Sequence, residues 1–170
     1  MRTGLDVAAC SALCAALLVA ACAVAPPAPI TSQAEASVWR GRLAVRVEAD
    51  PPKMQSQALA AGFELSGNAQ AGELTLFTPL GTTAAALSWT SNAAIMRSNG
   101  DVRHFDSLTA LIRSAVGTEV PVAALFAWFH GENMTAAGWN ADLTQYASGR
   151  ITARRLQPAP VAELTLLLEK

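Results

Sequence analysis

The strongest indication of a fold class is the segment Trp39-Arg40-Gly41-Arg42-Leu43-Ala44-Val45-Arg46-Val47-Glu48. Its odd positions carry tryptophan, glycine, leucine and valine, whereas the arginines and the glutamate occupy even positions. Apolar residues at every second position are typical of a β-strand that is buried on one face and solvated on the other. The segment therefore predicts a half-buried strand of an antiparallel sheet.

Further short strands are predicted along the rest of the chain. They cover residues 63–66, 72–77, 82–89, 94–97, 102–105, 142–147, 151–156 and 161–168. Asn99-Gly100 lies between two of them and suits a type I′ hairpin turn. Ser148-Gly149 is the turn predicted between the strands at 142–147 and 151–156. Strands at such short spacing indicate a curved antiparallel sheet or barrel.

Two helices interrupt the predicted strands. Asp106-Ser107 is expected to cap a helix that runs through Val116 and closes at Gly117. Pro121 suits the first position of a second helix, which ends at Gly131. The apolar stripe of this second helix comprises Val122, Leu125, Phe126 and Phe129, with Trp128 beside it. The stripe favours a helix that covers the open side of the sheet, although such a helix can also line a cavity.

The N-terminal segment resembles a bacterial secretory signal. Arg2 precedes an apolar stretch from Val7 to Ala21, and Val19-Ala20-Ala21-Cys22 resembles a lipobox. Such a site implies removal of residues 1–21, a diacylglycerol on the Cys22 thiol and acylation of the new amino group. An uncleaved membrane anchor is the alternative, and it fits less well because the apolar run is shorter than the ~20 residues that span a bilayer.

The chain after the lipobox reads as a tether followed by one domain. Residues 22–37 include Pro26, Pro27 and Pro29 among small and polar residues, which predicts a flexible, lipidated tether. Residues 38–170 have the size of a single domain. All 3 cysteines lie at or before position 22, so this domain has neither a disulfide nor a thiol nucleophile.

Charge and residue inventory argue against several function classes. The chain has 12 Lys+Arg against 13 Asp+Glu, and such a balance argues against nucleic acid as a partner. His104 and His130 are the only histidines, with Asp106 and Glu132 near them as candidate orienting groups. No serine lies in a Gly-x-Ser-x-Gly turn, and no histidine pair has metal-ligand spacing. We therefore expect no enzyme, no metal site and no cofactor.

Several segments together resemble the LolB family of outer-membrane lipoprotein receptors. They are Trp39-Arg40-Gly41-Arg42-Leu43-Ala44-Val45, Gly72-Glu73-Leu74-Thr75-Leu76, Thr78-Pro79-Leu80-Gly81, Gly117-x-x-Val120-Pro121-Val122-x-x-Leu125-x-x-Trp128-Phe129-x-Gly131 and Gly138-Trp139. Their order, their spacing and the lipobox carry the resemblance, which spans residues 39–139. Beyond it, Ala141 and Leu143 stand where the family usually has valine and tyrosine.

The resemblance implies a fold that is mainly β with α: a curved antiparallel sheet that forms a half-open barrel, covered by helices, with an internal apolar cavity. That cavity would accept the acyl chains of client lipoproteins from a LolA-like periplasmic carrier. A monomeric receptor would then insert them among outer-membrane phospholipids. Ala23 after the lipobox, where aspartate would retain a lipoprotein in the inner membrane, implies the outer membrane. The residues expected to line the cavity are Val45, Phe63, Leu65, Leu74, Leu76, Leu87, Trp89, Phe126, Trp128 and Phe129.

Leu80 is the residue whose position in the sequence is hardest to explain by folding alone. Thr78-Pro79-Leu80-Gly81 suits a type I turn, which puts Leu80 at a hairpin tip. The residues leave open whether Leu80 folds back onto the sheet or stays in solvent. The resemblance assigns Pro79, Leu80 and Gly81 to a protruding loop that engages the membrane.

Two functions of different classes remain open from the sequence. The first is a receptor that binds lipoproteins by their acyl chains and inserts them into the outer membrane. The second is a structural or assembly lipoprotein of the outer membrane that binds a protein partner and no lipid. A large dry cavity beneath the helices would favour the first, and a filled core the second.

Overall fold

The alternating segments form the strands of an antiparallel sheet. The computed structural model describes residues 37–50 and 55–169, so the predicted signal, Cys22 and nearly all of the tether lie outside the described residues. The strands are β1 (Val38–Val47), β2 (Gln57–Gly67), β3 (Gly72–Phe77), β4 (Thr83–Trp89), β5 (Ala94–Ser98), β6 (Asp101–Phe105), β7 (Trp139–Asp142), β8 (Arg150–Arg155) and β9 (Ala162–Leu168). The helices are α1 (Leu108–Val116) and α2 (Val122–Phe129). Within the described ranges, the prediction of a mainly β fold with two helices is confirmed.

The sheet is open and is organised around its first strand. The strand order is β6-β5-β4-β3-β2-β1-β9-β8-β7, and every neighbouring pair is antiparallel. β1 therefore lies between β2, which follows it in the sequence, and β9, the last strand. The registers Val45↔Leu59 and Val45↔Leu164 align the apolar positions of the three strands on one face.

Burial follows the alternation of the sequence. Leu43, Val45 and Val47 are buried, whereas Arg42 and Arg46 on the opposite face are exposed. Burying one leucine or valine side chain contributes about 1.5–3 kcal/mol. A register slip of one residue would exchange the two faces, so the apolar pattern itself fixes the pairing.

The predicted turn and helix signals are found in place. Asn99 and Gly100 have φ angles of 53° and 86°, the left-handed conformation that a type I′ turn requires at both positions. The Ser107 hydroxyl oxygen accepts a hydrogen bond from the Ala110 N–H at 3.2 Å, which caps α1. Gly117, at φ 78°, ends α1 by donating its N–H to the Arg113 carbonyl. Pro121 flanks α2 instead of forming its first turn.

The helices contact different parts of the sheet. α1 packs near β4, β5 and β6. The α2 rings of Phe126 and Phe129 lie 5.5 Å and 5.2 Å from the Trp39 ring of β1, and Phe129 lies 5.9 Å from the Phe63 ring of β2. Aromatic pairs at these centroid distances add to the stability gained from area burial alone.

The prediction of a strand at residues 142–147 is wrong. β7 ends at Asp142, whose carboxylate accepts a hydrogen bond from the Thr144 N–H at 2.9 Å. This bond lowers the pKa of Asp142 and turns the chain. Tyr146 then begins a short 3₁₀ turn, and its hydroxyl donates to the Phe129 carbonyl at the end of α2, at 2.8 Å. Beyond Asp142, the segment thus forms a turn and a short 3₁₀ helix and does not continue the strand.

Candidate functional site

The hairpin between β3 and β4 is held by its own backbone and by two hydroxyls. The Thr78 N–H donates to the Thr82 carbonyl at 2.8 Å, and the Gly81 N–H donates to the Thr78 carbonyl at 2.9 Å. The hydroxyl oxygens of Thr78 and Thr82 are also hydrogen-bonded, at 2.8 Å. Gly81 has a φ of 81°, which a residue with a side chain rarely adopts. The turn is therefore closed at its base, and its tip consists of Pro79 and Leu80.

Leu80 stands clear of the rest of the protein. Its side chain is 92% exposed, the largest value among the exposed large apolar side chains of the described residues. The alternative that Leu80 folds back onto the sheet is therefore wrong. A solvated leucine gains no burial energy in the isolated protein.

An apolar cleft lies between the two helices and the inner face of the sheet. Its volume is about 40 Å³, which is room for a few water molecules and well below the ~300 Å³ of a small ligand pocket. It is lined by Leu43, Val45, Phe63, Leu65, Leu74, Ile112, Val116, Val120, Leu125, Phe129, Leu164 and Leu166. All of these side chains are aliphatic or aromatic, so an apolar ligand in the cleft would contact no charged or hydrogen-bonding side chain among the lining residues.

The residues that the sequence assigned to a cavity divide into two groups. Val45, Phe63, Leu65, Leu74 and Phe129 line the cleft. Leu76, Leu87, Trp89, Phe126 and Trp128 are buried but do not line it. The indole N–H of Trp89 donates to the Asn68 carbonyl at 2.9 Å, and that of Trp128 donates to the Met134 carbonyl at 2.8 Å. These two tryptophans thus tie loops to the core.

Sequence reasoning missed part of the lining. The residues not assigned to the cavity are Leu43, Ile112, Val116, Val120, Leu125, Leu164 and Leu166. Two signals pointed to some of them. Leu164 and Leu166 are two residues apart on β9, which places them on one face of the strand. Ile112 and Val116 are four residues apart on α1, which places them on one helix face.

Both histidines lie at the surface of the protein. His104 is exposed on β6, and His130 is exposed at the C-terminal end of α2, with its ring 5.2 Å from Trp39. Within residues 37–50 and 55–169, no group of three His, Cys, Asp or Glu side chains is placed to hold a metal ion. Neither described helix has the length and apolar character needed to cross a membrane.

Comparison with known proteins identifies the family. The family model described as "Outer membrane lipoprotein LolB" matches residues 37–159. A Bordetella petrii protein named outer-membrane lipoprotein LolB is 28% identical over 169 residues, which cover 86% of this chain and 83% of the relative. Relatives of the same name from Shewanella baltica and Shewanella oneidensis are 32% and 31% identical over 131 residues. That alignment spans 72% of this chain and 58% of the length of each Shewanella protein. The family model covers both helices, the Leu80 hairpin and most of the sheet, and the chain therefore belongs to the LolB family.

Proposed function

We propose that this protein accepts lipoproteins through their acyl chains from a LolA-like periplasmic carrier and inserts them into the outer membrane. The observation that carries the proposal is Leu80, exposed at the tip of a hairpin whose base is closed by hydrogen bonds. As a member of the LolB family, the protein is a lipoprotein of the outer membrane, held there by lipid. It would act as a monomer, without a cofactor.

The energetics of acyl chains explain why such a receptor is needed. Each methylene transferred from lipid to water costs about 0.8 kcal/mol. A client with several fatty chains would therefore lose tens of kcal/mol by crossing an aqueous compartment unshielded. Handover between two apolar sites avoids this cost, and release into phospholipid makes the last step favourable.

The acyl-chain site of this proposal is the cleft between the helices and the sheet. At about 40 Å³ the cleft is too small for a fatty chain, so acceptance requires α1 and α2 to move away from the inner face. This movement would break the contacts of the Phe129 ring with the rings of Trp39 and Phe63. An acyl chain inserted there replaces these contacts by equally apolar ones, which limits the cost of opening. The opened form would correspond to the half-open barrel with an internal apolar cavity.

A carboxylate in this cleft should weaken acyl binding. Leu125 lines the cleft on α2 and is half-buried, so Leu125→Glu would leave a charge facing a dry apolar ligand. We expect the affinity for a fluorescent fatty-acyl probe to fall by about tenfold or more. The measurement is a titration of the full chain, purified in detergent, with the probe kept below the concentration at which the probe itself forms micelles.

Val102→Glu is the matched control for this measurement. Val102 is 53% exposed on the edge strand β6 and does not line the cleft, so the same charge there should leave probe binding unchanged. Equal affinities for Leu125→Glu and the unmodified protein would place the acyl-chain site elsewhere.

The small volume of the cleft is also the observation that favours the second candidate function. A filled core suits a structural or assembly lipoprotein that binds a protein partner and no lipid. The same titration separates the two functions, because this alternative requires that the unmodified, folded protein binds no acyl probe in a saturable way.

Lipidation is tested by the mass of the mature chain. Val19-Ala20-Ala21-Cys22 predicts a protein that begins at a triacylated Cys22 and lacks residues 1–21. Intact mass spectrometry of the membrane-extracted protein, followed by analysis of its N-terminal peptide, gives both results. A retained 1–21 segment or an unmodified Cys22 would contradict the prediction.

A further inference from the structure

A groove on the outer face of the sheet lies directly behind the Leu80 tip. Its volume is about 470 Å³, more than ten times that of the inner cleft. It is lined by Arg42, Leu43, Ala60, Ala61, Gly62, Phe77, Thr78, Pro79 and Gly81. The groove exists because β3 ends at Phe77 while β2 continues alongside the turn, and because the β2 residues there are alanines and a glycine. One wall is therefore the hairpin and the opposite wall includes Arg42 of β1.

Arg42 is a cation without a partner among the described residues. Its side chain is exposed and forms no ion pair within residues 37–50 and 55–169. Three carboxylates lie on the same face, on or directly after the neighbouring strands. Glu64 is paired with Arg40 at 2.7 Å, and Glu163, opposite Arg46, is paired with Arg154 at 2.9 Å. The Glu64 contact raises the pKa of the Arg40 guanidinium, and Glu169, which lies beside Arg40, adds to this effect.

A second exposed arginine continues the same row across the sheet. Arg42 is opposite Leu167 of β9, and Leu167 is opposite Arg150 of β8, so both arginines project from the outer face. Two strand spacings separate them, about 10 Å. Leu167 between them is 41% exposed. The outer surface beside the hairpin thus combines positive charge with exposed apolar side chains, the combination that favours anionic lipid surfaces.

Depth along the hairpin fits the thickness of a headgroup layer. The polar region of a bilayer is about 5–7 Å thick on each side of the hydrocarbon. Pro79 and Gly81, which line the groove, are the immediate neighbours of Leu80 in the turn, so the groove begins one residue behind the tip. When Leu80 enters the hydrocarbon, the groove behind it comes to lie among the phosphates.

We propose that the groove between Arg42 and the Pro79–Gly81 turn binds the phosphate of an anionic phospholipid headgroup while Leu80 enters the hydrocarbon. This inference rests on the proposed function, because it assigns the headgroup that accompanies membrane entry of the hairpin. A guanidinium presents paired N–H donors to the oxygens of a phosphate. In a zwitterionic headgroup, the ammonium group of the lipid already compensates the phosphate charge, so an anionic headgroup should bind better. The groove thereby orients the receptor at the membrane and holds the hairpin in its inserted position.

The test measures lipid selectivity in the absence of any client. The full chain, purified from membranes in detergent, is mixed with equal amounts of phosphatidylglycerol and phosphatidylcholine, and native mass spectrometry gives the ratio of the two in the first bound lipid. The unmodified protein is expected to prefer phosphatidylglycerol. Arg42→Gln should reduce this preference about fivefold, whereas Arg42→Lys, which keeps the charge, should retain most of it.

The control variant is Arg46→Gln. Arg46 lies on the same strand and the same face, four residues from Arg42 and outside the groove, so its replacement should leave the ratio unchanged. A second variant that removes no arginine is Ala60→Glu, which places a carboxylate on the exposed floor of the groove and should reduce the ratio as Arg42→Gln does.

Three results would overturn the assignment. They are an unchanged ratio for Arg42→Gln, an equal loss for Arg46→Gln, and an unchanged ratio for Ala60→Glu. Because lipid binding is measured without a client, these results leave the proposed receptor function standing. Conversely, normal delivery of clients by a Leu80 variant would overturn that function without altering the lipid ratio of the unmodified protein.

Discussion

Leu80→Glu should leave the protein folded while delivery of lipoproteins to vesicles falls by about a hundredfold or more. The side chain is 92% exposed, and surface substitutions usually change the free energy of unfolding by no more than about 0.5 kcal/mol. Membrane entry of leucine gains about 1.5–3 kcal/mol, whereas entry of a charge costs energy of similar size. The lost gain from leucine and the added cost of the charge both oppose membrane entry of the tip. Their free energies therefore add, and the two factors by which delivery falls multiply.

The experiment separates acceptance from release. Co-purification with a tagged client measures acceptance from the carrier, and flotation of client with vesicles measures release. Leu156→Glu is the matched control, since Leu156 is also well exposed, at 65%, but lies outside the hairpin. We expect acceptance to be normal in both variants and release to fail only in Leu80→Glu. Delivery at the unmodified rate by Leu80→Glu would show that the tip has no role in the membrane.

Trp128→Ala should have the largest effect on stability, about 3–5 kcal/mol in the free energy of unfolding. Trp128 is 0% exposed on α2, and its indole N–H donates to the Met134 carbonyl in the loop that follows. The truncation removes a large apolar side chain, leaves a cavity and also leaves this carbonyl without its donor. Trp128→Phe keeps the ring but not the donor, so its loss should be smaller, about 1–3 kcal/mol.

Urea unfolding monitored by circular dichroism gives the required free energies. Met134→Ala is the control: the Met134 side chain is 41% exposed and its carbonyl remains in place, so stability should stay within about 0.5 kcal/mol. A loss below about 1 kcal/mol for Trp128→Ala would contradict the anchoring role. Because Trp128 is fully buried and does not line the cleft, a charged residue at this position would disrupt folding. Such a variant is therefore unsuitable for testing acyl binding in the cleft.

The parts of the fold that follow a local rule were predictable from sequence. β1 was predicted by its period of two, since the pattern directly states which side chains face the core. The Asn99-Gly100 turn and the caps at Ser107 and Gly117 were predicted by backbone chemistry, which depends on neighbouring residues alone. The turn residues likewise placed Leu80 at a hairpin tip, but they left open whether its side chain folds back onto the sheet, and only the structure excluded that alternative.

The parts that depend on contacts between distant residues were not predictable. Residues 142–147 alternate like a strand, but the chain turns after Asp142, and the Tyr146 hydroxyl bonds to the distant Phe129 carbonyl. In α2, Phe126, Trp128 and Phe129 are all buried, so the apolar stripe did not reveal which of them faces the cleft. The groove beside Arg42 arises from the unequal lengths of β2 and β3, which no single segment encodes.

The position of β1 between β2 and β9 has a consequence for biogenesis. A secreted chain emerges from the translocon with its N-terminal end first, so β2 can pair with β1, and β3 with β2, as soon as they appear. The other edge of β1 pairs with β9, as the register Val45↔Leu164 shows, so it has no partner until residues 162–168 have emerged. Closing so long a loop is slow compared with forming hairpins, and the unpaired edge is prone to aggregation in the interval. A periplasmic chaperone that shields this edge would therefore raise the yield of folded protein, whereas truncation of β9 would leave the edge open in every molecule.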